Sequence, residues 1–490
     1  MYSGSGFKDW EIGDVEVHLH NGIYHLFHLI IPNHDYIAHA VSKDGISWER
    51  IDNAMFVGHP GEWDDDMLWT MDVGDCDDGS FEMYYTGLQI SDRGVNQKVG
   101  RAISKDLINW KKTSDVDGTL ASQGPHYEDL KNNPRTWLSF RDPYLYKYKG
   151  EEYLLVCGRA SHGPVYRRGC VSLYQKVNGK FVAKPPLIFP LAYDDIECPC
   201  AIEINGVSYL IGSIREDIKV RYWYADEFLG EYHSFHHDVL MPQGNYAARI
   251  VKDGEHNLVY SFYFLDRQVN SKRVLPPPKE LGVDGDGKLF LKSFYKWDEK
   301  VKKTYAQAAF PDVKLLYGNS TAQFDKLRGK WWMASRSGYE LFTFNKMSDS
   351  YIWEGTLKVE GVGKCGLVLA QDDDGSGYYI SLDYMSGYVQ IRAWGFNESD
   401  PQNNFVFKNL QTNQFISPKS LEIKFKLIRY GHYIELSIDD IVKLTLIDYR
   451  YNEKRIGFYT SSSIISLKKS MYKVLENPME EYAALKNESY

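Results

Sequence analysis

Short apolar-aromatic runs, each closed by a Gly, Asp or Asn turn, recur along this chain and leave almost no stretch with helical periodicity. Ile23-Tyr24-His25-Leu26-Phe27, Phe81-Glu82-Met83-Tyr84-Tyr85, Glu152-Tyr153-Leu154-Leu155-Val156 and Val207-Ser208-Tyr209-Leu210-Ile211 are of this kind. Runs bounded by turn formers read as strands, whereas an amphipathic helix needs apolar residues at spacings of three and four. The fold class is therefore all-β. Aromatic residues at 15% suit such strands, and flat rings also suit stacking on sugars, although packing in a β core is their commoner use.

One stretch is echoed. His39-Ala40-Val41-Ser42-Lys43-Asp44-Gly45-Ile46-Ser47-Trp48 returns as Arg101-Ala102-Ile103-Ser104-Lys105-Asp106-Leu107-Ile108-Asn109-Trp110, with a weaker relative at Tyr224-Ala225-Asp226-Glu227-Phe228. A strand-rich repeat of about 60 residues is what successive propeller blades leave in a sequence, so the first part of the chain reads as a five-bladed β-propeller of four-stranded blades. Pro276-Pro277-Pro278 and Asp284-Gly285-Asp286-Gly287 break the composition, and the pattern beyond changes to longer alternating runs such as Leu421-Glu422-Ile423-Lys424-Phe425-Lys426-Leu427. Strict alternation gives one wet and one buried face, and two such sheets packed together form a sandwich. The expected division is a propeller over residues 1–298, a jelly-roll-like β-sandwich over 299–475 and a tail over 476–490. Carbohydrate binding, bracing of the propeller and assembly into a homo-oligomer are the readings open for the sandwich.

The net charge of −9 is spread without a basic block, which argues against a nucleic-acid partner or an anionic membrane surface. No apolar run reaches the roughly 18 residues that span a bilayer, and no basic-then-apolar leader opens the chain, so a cytoplasmic location is expected. The six cysteines lack paired C-x-x-C spacing and read as reduced thiols. His18 and His20 share one strand face but have no further ligand at fitting spacing, and read as packing or rim residues.

Three acids stand in similar settings. Asp14 lies in Gly13-Asp14-Val15, Asp142 in Arg141-Asp142-Pro143 and Glu197 in Glu197-Cys198-Pro199, each at the start of a strand run. Alone, each is more simply a turn or strand-end acid. In a propeller, however, the innermost strands converge on the axis, so three acids far apart in sequence meet in one funnel. Glycosidic cleavage needs such a meeting: one carboxylate attacks or activates water, a second protonates the leaving oxygen, and a third, paired with Arg141, binds sugar hydroxyls.

These residues also carry a resemblance. Arg141-Asp142-Pro143 and Glu197-Cys198-Pro199 resemble the two best-known motifs of glycoside hydrolase family 32, the invertases, levanases and sucrose-phosphate hydrolases. Tyr24-His25-Leu26-Phe27, His39-Ala40-Val41-Ser42-Lys43-Asp44 and the Leu275-Pro276 to Leu289 stretch are similar to further family segments. The resemblance implies retaining hydrolysis of a β-fructofuranoside, with Asp14 as nucleophile, Glu197 as acid/base and Asp142 as transition-state stabiliser. It also implies a carbohydrate substrate held by Arg141, Trp69, Thr70, His28 and Tyr246, and no metal or organic cofactor.

The chain departs from the family where the sugar is held. Gly13-Asp14-Val15-Glu16-Val17 replaces the usual Asn-Asp-Pro-Asn-Gly, Leu29 replaces a Gln, and a Trp expected near Ile37 is missing. Glu16 and Asp9 are thus alternatives for the nucleophile, and an arabinofuranoside or galactofuranoside, as in the related family 43, is an alternative substrate. A glycosyl transferase or phosphorylase and a non-catalytic glycan-binding propeller are the remaining readings.

Overall fold

A computed structural model describes residues 2–4, 11–113, 119–264, 273–361, 363–396 and 405–478. Strands make up nearly all the regular structure, with four short 3-10 turns among the described residues. The chain divides into two compact units, Tyr2–Leu289 and the part from Phe290 onward.

The first unit is a five-bladed propeller. Its blades begin on the inner strands Glu11–His20, Met67–Asp75, Phe140–Tyr148, Glu197–Ile204 and Asn245–Asp253, and each continues outward through antiparallel neighbours. The sequence echo falls on equivalent third strands, Tyr36–Ser42 and Lys98–Ser104. Ser42 Oγ and Ser104 Oγ donate to Asp44 and Asp106, both at 3.0 Å. Those carboxylates accept the N–H of Ser47 and Asn109, both at 2.7 Å, so one Asx turn is built twice. The fourth blade differs from the expected four strands: its sheet has three, and beyond Lys219–Ala225 only isolated bridges at His233 and Val239 continue the edge. The N-terminus is tied to the last blade through Leu275 N, which donates to Tyr2 O at 3.0 Å.

The boundary lies between Leu289 and Phe290, nearer the N-terminus than the expected 298, because the proline-rich break belongs to the propeller. Leu275 pairs with Tyr2, and Lys279–Val283 is a strand of the fifth blade. Trp297, on the 3-10 turn Tyr295–Lys300, instead packs edge-on to Tyr430 at 5.3 Å within the second unit. That unit is a β-sandwich whose layers form one continuous thirteen-stranded network, because Arg455–Leu475 pairs with strands of both. Its two ends meet through a side chain acting as backbone: Gln411 donates to Thr445 O at 3.0 Å and accepts Thr445 N at 2.8 Å. Of the expected tail, residues 479–490 lie outside the described residues.

One irregularity repeats in every blade. The pairing of the inner strand with its neighbour slips between Ile12 and Val15, Leu68 and Met71, Arg141 and Tyr144, Glu197 and Cys200, and Tyr246 and Arg249. Each slip is a β-bulge, which unpairs backbone groups and re-aims side chains. Asp142, Cys198 and Ala247, the first bulged residues of the last three blades, have φ of 61°, 48° and 54°. Left-handed backbone costs an L-residue about 1–2 kcal/mol, so the surroundings must hold it. They do so by satisfying the freed N–H groups: Asp142 N donates to Thr86 Oγ1 at 3.0 Å, Cys198 N to Asp142 Oδ2 at 2.9 Å, and Ala247 N to Ser213 Oγ at 3.0 Å.

Arg249, which follows the fifth bulge and is 1% exposed, reaches under the others. Its guanidinium donates to Pro199 O at 2.7 Å and Pro143 O at 3.2 Å, the second bulged residues of blades four and three. It also lies 3.4 Å from Glu16 on the first blade. Replacing one member of a buried charged group leaves the others uncompensated, at a cost of about 3–5 kcal/mol. Arg249→Met is therefore expected to lower the unfolding free energy by about that amount in urea denaturation; an unchanged midpoint and slope would remove Arg249 from this role.

Candidate active site

The bulges open into one cavity of 470 Å³. Asp14, Asp142 and Glu197 all line it, carried by blades one, three and four, together with Trp69 and Thr70 from blade two and Tyr246 from blade five. Each of these residues is in a bulge or beside one, so the five-fold irregularity delivers the whole constellation. An oxygen of Asp14, an oxygen of Asp142 and the sulfur of Cys198 lie within 4.8 Å of one another.

Each carboxylate is held differently. Asp14 Oδ2 accepts a hydrogen bond from Thr70 Oγ1. Asp142 Oδ2 accepts the Cys198 N–H, and Arg141 Nε stands 3.8 Å away. Glu197 is gripped at both oxygens, by Arg141 Nη2 on Oε1 at 2.5 Å and by the Tyr246 hydroxyl on Oε2. Arg141 is itself fixed by Ser139 Oγ at 2.6 Å and Asp195 Oδ2 at 3.0 Å, and Asp195 in turn meets Arg159 at 3.2 Å. The expected pairing of Arg141 with Asp142 is thus the longest of its contacts, and Glu197 and Asp195 are its close partners.

A second cavity of 580 Å³ adjoins the first. Trp69, Arg141, Glu197 and Arg215 line both, whereas Asp14 and Asp142 line only the first and Trp137 and Arg93 only the second. Glu197 therefore stands in the wall common to two compartments, with both other acids on one side.

His28 is a correction. It does not line either cavity, but is fully buried, with Nε2 3.0 Å from the Tyr2 hydroxyl and Nδ1 2.9 Å from Leu29 O. Side chains alternate along a strand, and its neighbour Leu29 takes the cavity face. Glu16, an alternative nucleophile, is also turned away, toward Arg249; Asp9 lies outside the described residues. The residues that sequence reasoning missed are His34, Phe262, Phe264, Arg215 and Arg273, all in the cavity lining. Among the described residues, Trp69 Nε1 and His34 Nδ1 are buried without a hydrogen-bond partner, polar atoms a ligand can satisfy. Leu29 and Ile31 give the cavity an apolar wall where the resemblance led to a polar one.

Burial dominates the titration of Asp14 and Asp142. It raises Asp14, helped by the charge of Glu197 and opposed by the Thr70 hydrogen bond. It raises Asp142 to about 6 against the opposing charge of Arg141, and raises the nearby Asp72 to about 6 against Arg249. Burial also lowers His34 to about 4, so that ring is neutral near pH 7. A native carboxyl whose pKa is raised from 3.8 to about 6 retains a proton that the unfolded chain has already lost, so stability falls as pH rises across that window. The expected fall is on the order of 3 kcal/mol per group. Asp72→Asn, outside the cavity lining, should flatten the decline between pH 4 and 6 in urea titrations, and an unaltered slope would contradict the assignment.

The family model for the N-terminal domain of glycosyl hydrolases family 32 matches residues 16–255. Among solved structures, fructan 1-exohydrolase IIa from Cichorium intybus is similar at 15% identity, with 95% of both chains covered and a TM-score of 0.70. Sucrose-6-phosphate hydrolase from Lactobacillus gasseri is similar at 14% identity, with 95% of this chain and 91% of that one covered and a TM-score of 0.68. Fructofuranosidase from Schwanniomyces occidentalis, complexed with fructose, is similar at 14% identity, covering 95% and 96% with a TM-score of 0.66. No curated protein sequence matches. Likeness at such identities speaks to the fold, while the family model covers most of the propeller that bears the carboxylates. By that match, the propeller is an N-terminal domain of glycosyl hydrolase family 32.

Proposed function

We propose that the protein is a retaining furanosidase that removes a β-fructofuranosyl residue from a carbohydrate. The observation that carries this reading is the position of Glu197 between two cavities, one holding Asp14 and Asp142 and the other holding neither. A glycoside lying across that wall puts its furanose in the inner compartment, its leaving group in the outer one and its bridging oxygen beside Glu197.

In the first step an Asp14 oxygen attacks the anomeric carbon while Glu197 gives its proton to the bridging oxygen, breaking the glycosidic bond and leaving a sugar ester on Asp14. In the second, Glu197 takes a proton from water, the hydroxide attacks the same carbon, and the Asp14 carboxylate leaves. Asp142 accepts hydrogen bonds from ring hydroxyls and offsets the positive charge that develops on the sugar. Thr70 orients Asp14, and Arg141 with Tyr246 orients Glu197. The unpaired Trp69 Nε1 and His34 Nδ1 are free for sugar hydroxyls. A fructofuranosidase complexed with fructose among the similar structures supports fructose as the sugar. The apolar wall of Leu29 and Ile31 favours a second reading, an arabinofuranosyl or galactofuranosyl residue that turns a carbon face to it.

Hydrolysis of sucrose and small fructans, set beside nitrophenyl arabinofuranoside and galactofuranoside, tests the sugar. Asp14→Ala and Glu197→Ala should each lower kcat by about 10³-fold or more with substrate binding retained. Proton NMR of the first-formed product should show the anomeric configuration kept. Turnover by either variant near that of the parent would remove the two-carboxylate assignment, and an inverted product would remove the ester intermediate.

A further inference from the structure

His18 and His20 gain in the structure the third partner that their sequence spacing lacks. They sit two residues apart on Glu11–His20 and share a face, and Asp75 ends the neighbouring inner strand Met67–Asp75. One donor atom from each lies within 4.8 Å of those from the other two. The group stands about 13 Å farther along the first inner strand than Asp14, at 3.3 Å per residue, and is separate from the carboxylate cavity.

The contact between His18 and Asp75 has an unusual character. His18 Nε2 and Asp75 Oδ1 are 3.4 Å apart, and Nε2 is buried with no hydrogen-bond partner among the described residues. That separation is long for an N–H···O bond. Two ligands each about 2.0–2.1 Å from one tetrahedral zinc ion stand roughly 3.3–3.4 Å apart, which matches. A cation between the ring nitrogen and the carboxylate satisfies both at this separation. Lys147 Nζ, 3.3 Å from the Asp75 carbonyl and from Asp77 Oδ1, anchors the turn that carries Asp75.

We propose that His18, His20 and Asp75 bind a divalent transition-metal ion, zinc by its ligand chemistry, which clasps the inner strands of the first two blades. Two imidazoles and one carboxylate suit zinc better than calcium or magnesium, which prefer oxygen ligands throughout. Solvent reaches the site through Asp75, whose side chain is 69% exposed, and water supplies the remaining position.

The test uses the full chain, stripped with EDTA, dialysed and titrated with zinc chloride alone. The expected result is one zinc per chain by elemental analysis, tetrahedral d–d bands on substitution with cobalt, and a Tm that rises with zinc. His18→Gln and Asp75→Asn should each weaken zinc binding by at least about tenfold and abolish the Tm rise, while furanoside hydrolysis is unchanged. Asp75 is exposed enough for its variant to fold even where His18→Gln does not. Asp14→Asn should keep the zinc, which separates this site from the other close group of ligand atoms, Asp14, Asp142 and Cys198. Absence of zinc binding by the parent protein, loss of zinc in Asp14→Asn, or full retention in Asp75→Asn overturns the proposal.

Discussion

A two-residue bulge at one level of all five inner strands is the constraint on which the rest of this propeller depends. Regular strands alternate their side chains, so a ring of unbroken strands would present only every second residue to the axis. Slipping the register lets consecutive residues such as Trp69 and Thr70, or Arg141 and Asp142, both face the cavity. The slip also frees backbone groups in a buried place, which the fold cannot leave unpaired. Thr86, Ser213 and the Asp142 carboxylate take the N–H groups, and Arg249 takes the carbonyls of Pro143 and Pro199. Asp142 thus acts twice, as a cavity acid and as the cap of its neighbour's bulge.

Concentrating acids near the axis demands cations that are themselves fixed. Arg141 and Arg249 meet that demand from within the protein, each satisfying several acceptors that belong to different blades. Asp195 and Arg159 extend the first group outward and hold the guanidinium that grips Glu197. A donor set fixed before substrate arrives need not reorganise when charge moves during bond cleavage, which is how preorganised sites lower barriers.

The propeller was legible because its signals are local. The Ser-x-Asp turns that close two third strands are spelled out within a few residues, and Asp142-Pro143 and Cys198-Pro199 mark bulges because proline, with no N–H to donate, tolerates an unpaired position. Asp14 has no proline beside it, and its place had to be taken from spacing alone. His28 was misjudged by parity: one residue along a strand exchanges the cavity face for the buried one. Arg249 and Asp75 were not legible, because the partners of the first are backbone carbonyls of distant residues and the partners of the second lie on another blade. The sandwich was read as two sheets because alternation shows faces but not the single strand, Arg455–Leu475, that joins them.

The division of the site at Glu197 also bears on what can accept the sugar in the proposed mechanism. The inner compartment sets the apolar surfaces of Leu29, Ile31, Phe262 and Phe264 beside the polar groups of Thr70, Arg141 and Arg273. The outer one adds Trp137 and Arg93 to the shared Arg215, so a molecule there meets Glu197 from a polar and aromatic side. Hydrolysis and transfer to another sugar then differ only in which molecule occupies that outer space when Glu197 withdraws a proton. In that mechanism the balance between them depends on how long the leaving group stays against Trp69 and Trp137, and so on groups other than the two carboxylates.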